Sequence, residues 1–182
     1  MAETILEVRH LCTSFLNESS EMRAVDDMSY TVKKGECVAI IGESGSGKSV
    51  SALSLLKLIP YPPGVVKSGE VIFKGRDLMK LSNAEMEEIR GSEISMIFQE
   101  PSTALNPVMP IGAQIEENIL RHGAVEDKNL SPEQREKYKG LSIAQRARAR
   151  AAELLALMDI PNPETRLRDY PFQFSGGMQQ RA

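Results

Sequence analysis

The sequence predicts an α/β fold in which strands come first, a strand–glycine-loop–helix unit follows, and helices close the chain. Three observations predict it. Period-2 alternation marks the first third, in Ile5-Leu6-Glu7-Val8 and Met28-Ser29-Tyr30-Thr31-Val32. The branched apolar run Cys37-Val38-Ala39-Ile40-Ile41 leads into a glycine- and serine-rich loop at 42–47 and then into a helical pattern. After Gln99 the apolar period lengthens to that of helices, over 111–120 and 142–158.

Taken in order, polar residues 17–21 form the loop between the first two strands, and Lys33-Lys34-Gly35-Glu36 is a turn. Cys37 to Ile41 reads as a strand buried on both faces. The following helix, 49–59, places Ala52, Leu55, Leu56 and Ile59 on one face, and Pro60, Pro62 and Pro63 end it. Gly69-Glu70-Val71-Ile72-Phe73-Lys74-Gly75 is a short strand. Residues 82–90 form a helix with Ser82 as N-cap and Glu85 completing a capping box. Ile94-Ser95-Met96-Ile97-Phe98 is a second buried strand. In 142–158 the stripe is Ala147, Ala151, Leu154, Leu155 and Met158, whereas 123–140 is polar with little periodicity and reads as a mobile surface insertion.

The bulk numbers exclude some functions. The 182 residues carry 22 Lys+Arg against 25 Asp+Glu, a formal charge of -3, with 41% hydrophobic residues and no Trp. That is an ordinary globular composition without the basic excess or stacking aromatics of a nucleic-acid binder. Arg146, Arg148 and Arg150 read as a solvated helix flank. Cys12 and Cys37 belong to no Cys-x-x-Cys pair and read as reduced, buried thiols; His10 and His122 are solitary, so no metal cage is predicted. The N-terminus lacks a signal pattern, and the longest apolar-leaning run, 50–59, is too short to span a bilayer. A cytosolic chain is expected, one that reaches a membrane only by docking onto something that spans it.

Gly42-Glu43-Ser44-Gly45-Ser46-Gly47-Lys48-Ser49 matches G-x-x-x-x-G-K-[ST], the pattern of a phosphate-binding loop. Glycines let the backbone wrap a phosphate and take dihedrals that side chains forbid. The N–H groups so aligned form an anion nest at the positive end of a helix. Lys48 is placed to reach β- and γ-phosphates, and the Ser49 hydroxyl to ligate Mg²⁺. The loop alone does not separate kinases, GTPases and transport ATPases.

Ser175-Gly176-Gly177-Met178-Gln179-Gln180-Arg181 opens a further helix whose exposed N–H groups and hydroxyl suit an anion. By itself Ser-Gly-Gly is more often a plain loop. Combined with the loop at 42–49, and with Gln99 following an apolar strand, it resembles the signature motif of an ABC-type ATPase, with Gln99 resembling the Gln of the Q-loop. The resemblance covers essentially all 182 residues in order. It extends to the dipeptide/oligopeptide importer branch, whose relatives also carry nickel or glutathione, through Ile41-Gly42-Glu43-Ser44-Gly45-Ser46-Gly47-Lys48-Ser49, Met96-Ile97-Phe98-Gln99-Glu100-Pro101, Ala104-Leu105-Asn106-Pro107-Val108-Met109 and Tyr170-Pro171-Phe172-Gln173-Phe174-Ser175-Gly176-Gly177-Met178. Phe174, where the family often has Leu, is a conservative departure.

This resemblance implies an incomplete P-loop NTPase (RecA-like) core with an antiparallel β subdomain and an α-helical subdomain. Residues 1–98 would be the N-terminal part of the core with the β subdomain, 99–174 the helical subdomain that receives the permease coupling helices, and 175–182 the start of the signature helix. The implied cofactors are ATP and Mg²⁺. A second ATP-binding subunit, identical or not, would face the first head to tail, so that ATP lies between one subunit's residues 42–49 and the other's Ser175, Gly176 and Gly177. Gln99 would contact Mg²⁺ or the attacking water. Phe15 is the candidate for stacking on adenine, a strand-core role being the alternative. Transmembrane permease subunits and, indirectly, a periplasmic or extracellular solute-binding protein are the implied partners, which places the chain on the inner face of the cell membrane.

The family pattern continues with an apolar strand ending in Asp-Glu and with a switch His, none of which lies in 1–182. The expectation is therefore an importer ATPase subunit present as an N-terminal fragment with most turnover absent, no carboxylate here, Glu100 included, having a claim to substitute. The alternative is a non-hydrolysing nucleotide-binding remnant or interaction fragment. A repair or translation ATPase fits poorly with the stretches around Asn106 and Tyr170, and a small-molecule kinase leaves Ser175-Gly176-Gly177 unexplained. In the resembled core the two missing strands separate 37–41 from 94–98, so both runs are expected to have unpaired edges and the chain to fold poorly alone.

Overall fold

The alternation at the start of the chain extends well beyond four residues. In the computed structural model, which describes residues 2–99 and 104–182, β1 (Thr4–Leu16) and β2 (Glu21–Lys33) are antiparallel strands of 13 residues each. β3 (Gly64–Phe73) lies on the other side of β1, and the two-residue β4 (Arg76–Asp77) completes a sheet of order β2-β1-β3-β4. Strands this long stay in register by bulging. The β1–β2 register shifts between Val8 and Leu11, where His10 and Asp27 both take positive φ and His10 Nδ1 lies 2.6 Å from Asp27 Oδ1. Val8, Leu11 and Val71 in the sheet, and Leu78, Met86 and Ile89 in the segment that follows it, are all essentially inaccessible.

α1 (Lys48–Leu55) is shorter than the proline positions suggest. Lys57 takes a left-handed φ of 51°, its N–H donates to the Ser54 carbonyl at 3.1 Å, and the Leu58 N–H donates to the Leu53 carbonyl at 2.9 Å. That pair of bonds is a Schellman motif, and it stops the helix before Pro60. The face turned inward carries Ser51, Ser54 and Leu56, whereas Ala52, Leu55 and Ile59 are only half-buried. The Thr13 and Ser54 hydroxyls, both inaccessible, hydrogen-bond at 2.8 Å and join α1 to β1. α2 (Asn83–Ile89) starts with the expected capping box between Ser82 and Glu85.

Two strand expectations are overturned. Cys37 to Ile41 and Ile94 to Phe98 belong to no sheet among the described residues. They are not buried on both faces: Ile41 is 93% exposed and Ile97 96%, and Cys37 is an exposed thiol rather than a buried one. An apolar run forms a strand only where another strand supplies its hydrogen bonds.

The chain divides into two units, Met1–Arg90 and Gly91–Ala182. The second unit is helical: α3 (Ile111–Arg121), α4 (Pro132–Lys137), α5 (Ile143–Leu157), α6 (Pro163–Arg166) and α7 (Gly176–Arg181). Ala147, Ala151 and Leu155 of α5 recur at four-residue spacing in its core, while Met158, expected on the same stripe, is exposed. Residues 123–140 are not a mobile insertion. Val125, Leu130 and Tyr138 are core residues, and α4 between them has its own capping box, Ser131 with Gln134, and Pro132 at its first turn. The three arginines of α5 are paired rather than merely solvated, Arg146 with Asp127, Arg148 with Glu116 and Arg150 with Glu153.

Candidate functional site

The loop at 42–49 connects 37–41 to the first turn of α1 and sits beside β2. Gly45 and Gly47 have φ of 81° and 86°, values an L-residue adopts only under strain. Gly47 is also pinned sterically, since a Cβ there would run into the Ala24 carbonyl oxygen of β2. The Ser51 N–H donates to the Gly47 carbonyl at 2.8 Å, so the helical ladder starts from the loop itself. A cleft of about 290 Å³ opens here, lined by Ala24, Asp26, Gly42, Gly47 and Lys48 among others.

Lys48 points back over the loop. Its ammonium donates to the carbonyls of Gly42 at 2.7 Å and Glu43 at 2.6 Å and to Ser46 Oγ at 3.2 Å. An ammonium has three donors, and here all three serve the loop's own oxygens. Positive charge is thereby held over the loop, at the N-terminal end of an eight-residue helix whose first N–H groups add to it. These are the donors that a chain of phosphates needs, and the glycines leave room for close approach. Ser49 is exposed in the first turn, available to a hydrated cation. Glu43, Ser44 and Ser46 are exposed on the rim.

Phe15 does not line that cleft. It stands on β1 between Met22 and Gly64, half-buried, with its ring against Gly64.

In the second unit, Gln99 is exposed at the end of 94–98; Glu100 and Pro101, which follow it in the branch pattern, lie outside the described residues. Ser175 is the N-cap of α7, its hydroxyl accepting from the Met178 N–H at 3.3 Å, and Gly176 and Gly177 are exposed with nothing near where a Cβ would stand. The turn is anchored from behind. Phe174 is buried in the helical core, Gln179 Nε2 donates to the Pro171 carbonyl at 2.7 Å, and Arg181 Nη1 donates to the carbonyls of Met158 and Asp159 at the end of α5. This presents Ser175, Gly176 and Gly177 outward on a fixed base.

Sequence reasoning missed the groups that hold these pieces in place. Thr13 and Ser54, Lys57 and Arg90 all support α1, yet nothing in their spacing marks them, because each partner is distant in sequence.

Comparison with known proteins follows the same order of segments. The family model described as ABC transporter matches residues 25–182. The oligopeptide transport ATP-binding protein OppD of Bacillus subtilis (strain 168) is 46% identical over 177 residues, 97% of this chain and 45% of that protein. The dipeptide transport ATP-binding protein DppD of Escherichia coli (strain K12) is 45% identical over 177 residues, 97% of this chain and 49% of that protein. Among solved structures, the ATP-binding cassette MJ0796, a dimer in a post-hydrolysis state bound to ADP and Pi, superposes with a TM-score of 0.74 at 24% identity, over 97% of this chain and 66% of that one. The fold is thus that of ATP-binding cassettes, and the chain spans about half the length of the curated relatives it matches.

Proposed function

The chain belongs to the ABC transporter family, and from that premise we propose that it binds ATP through residues 42–49 as the ATP-binding part of an importer of peptides or a similar small solute. One observation supports this above the others: the loop already has Gly45 and Gly47 in left-handed conformations and the Lys48 ammonium held over it. On binding, Lys48 exchanges the Gly42 and Glu43 carbonyls for β- and γ-phosphate oxygens, a charge-assisted contact stronger than the neutral ones it leaves. The N–H groups of 45–48 hold the phosphates from the other side. Ser49 and Gln99 are the residues assigned to Mg²⁺, which when bound neutralises phosphate charge.

Ser175, Gly176 and Gly177 serve a nucleotide held by a second ATP-binding subunit, identical or paralogous, with their exposure on α7 as support. Phe15 is retained as the adenine-stacking candidate. No helix among the described residues is long and apolar enough to cross a membrane; the chain works at the inner face of the cell membrane through permease subunits, which a solute-binding protein supplies. Segment 99–174 receives the permease.

Titration calorimetry with ATP, ADP and AMP in the presence of Mg²⁺ tests the proposal. A loop that grips β- and γ-phosphates gives measurable ATP and ADP binding and an AMP affinity lower by about a hundredfold or more. Equal affinity for AMP, or no heat with any of the three, contradicts it.

A further inference from the structure

The helix that carries the phosphate loop is held at both ends. At its start, Gly47 lies against the backbone of Ala24, and in its last turn the Ser54 hydroxyl is bonded to that of Thr13. At its far end the Schellman motif satisfies the carbonyls of Leu53 and Ser54 and leaves those of Leu56 and Lys57 open. Arg90 takes both. Its Nε–H donates to the Leu56 carbonyl at 2.8 Å and its Nη2–H to the Lys57 carbonyl at 3.1 Å. The guanidinium therefore sits at the negative end of the helix dipole, and its planar fork matches two neighbouring carbonyls as an ammonium cannot. Lys57, itself in a left-handed conformation that costs a non-glycine residue energy, donates back to the Leu81 carbonyl at 2.6 Å. The segment that Lys57 grips, and that Arg90 ends, is firm, with a capping box at Ser82 and Met86 and Ile89 fully buried.

We propose that Arg90 is a positioning residue for the phosphate loop: by clamping the Leu56 and Lys57 carbonyls just past the end of α1 it sets the helix axis, and so where the N–H groups of Ser46, Gly47 and Lys48 point. This rests on the phosphate-binding reading above. Eight residues of helix span about 12 Å, so a tilt at the Arg90 end reaches the loop almost undiminished. Hydrogen bonds to phosphate weaken over a few tenths of an ångström and tens of degrees, which is the scale of such a tilt.

The test is Arg90→Gln in the full chain, titrated with a fluorescent ATP analogue at a temperature where circular dichroism shows the variant still folded. The expected result is a Kd raised about tenfold at undiminished binding amplitude, together with faster amide exchange at Ser46, Gly47 and Lys48. Arg90→Lys, which keeps the charge and one donor, recovers part of the affinity, and it carries the test if Arg90→Gln does not fold. A lowered melting midpoint with Kd within twofold of wild type overturns the proposal, since a merely structural cap acts on stability alone. A wild-type chain that ignores the analogue overturns the phosphate reading and this inference with it; wild-type binding that Arg90→Gln leaves intact overturns only this inference.

Discussion

Tyr138 shows what a polar-looking segment can conceal at the scale of single residues. Its ring is in the helical core and its hydroxyl donates to both oxygens of Glu153, at 2.9 Å each, while Lys137 and Arg150 reach the same carboxylate at 2.8 and 3.0 Å. Burial, and then the hydrogen bond to a carboxylate, push the Tyr138 hydroxyl up to about 12 from its usual 10.0. Burial alone would raise Glu153, but Lys137, Arg150 and Tyr138 together hold it below its usual range. The signs differ. The tyrosine's stabilisation is complete below its unfolded value and lost as pH rises between about 10 and 12; the carboxylate's is present above its unfolded value of about 4.5 and lost as pH falls through its lower folded one. Tyr138→Phe is expected to cost about 1.5–3 kcal/mol at neutral pH, as loss of a hydrogen bond to a charged group, and to flatten the decline of stability above pH 10. Urea unfolding as a function of pH checks both; an unchanged alkaline limb counts against the Tyr138–Glu153 pair. None of this was legible in sequence, because Tyr138 caps the end of α4 and Glu153 lies in α5, with no period to relate them. The loop at 42–49 was legible residue by residue, because its chemistry requires those residue types in consecutive positions.

At the scale of elements, helix starts were readable and strand partners were not. Ser82 caps its helix as its spacing suggests, and Ser142, where the run 142–158 begins, is an N-cap as well. Ser131 does the same, but its box lies in a charged stretch where composition masks the periodicity. Ser131→Ala should lower stability by about 1 kcal/mol, the usual value of an N-cap, measured by urea unfolding; a change near zero would support the reading of 123–140 as a mobile insertion instead. α1 was foreseen as a helix, yet its inward face was misjudged. Ser54 satisfies its hydroxyl with the Val50 carbonyl and with Thr13, so a serine can face β1 where an apolar stripe was expected. The runs 37–41 and 94–98 have strand composition, but composition does not supply a neighbour, and neither enters the sheet.

At the scale of the whole molecule, the sequence order of phosphate loop, Gln99 and Ser175-Gly176-Gly177 carried the family, and the match over residues 25–182 agrees. The long β1–β2 pairing and the well-packed helical unit give each half of the chain its own core. The apolar side chains left at the surface have a consequence for solubility. Ile97, at 96% exposure, contributes almost nothing to folding, and Phe98 beside it in sequence is also exposed. Ile97→Glu should leave the unfolding midpoint within about 0.5 kcal/mol of wild type and reduce self-association at high concentration, followed by light scattering. A large loss of stability would show that Ile97 is covered in solution.

The most direct test of nucleotide binding by this loop is the affinity of the full chain for Mg²⁺·ATP, measured by titration calorimetry on the wild type and on Lys48→Ala. Binding by the wild type and a loss of at least about tenfold in the variant, with its fold intact by circular dichroism, is the expected result, because the ammonium that now rests on the Gly42 and Glu43 carbonyls is the group that meets the phosphates. A folded Lys48→Ala chain that binds ATP as tightly as the wild type would contradict it.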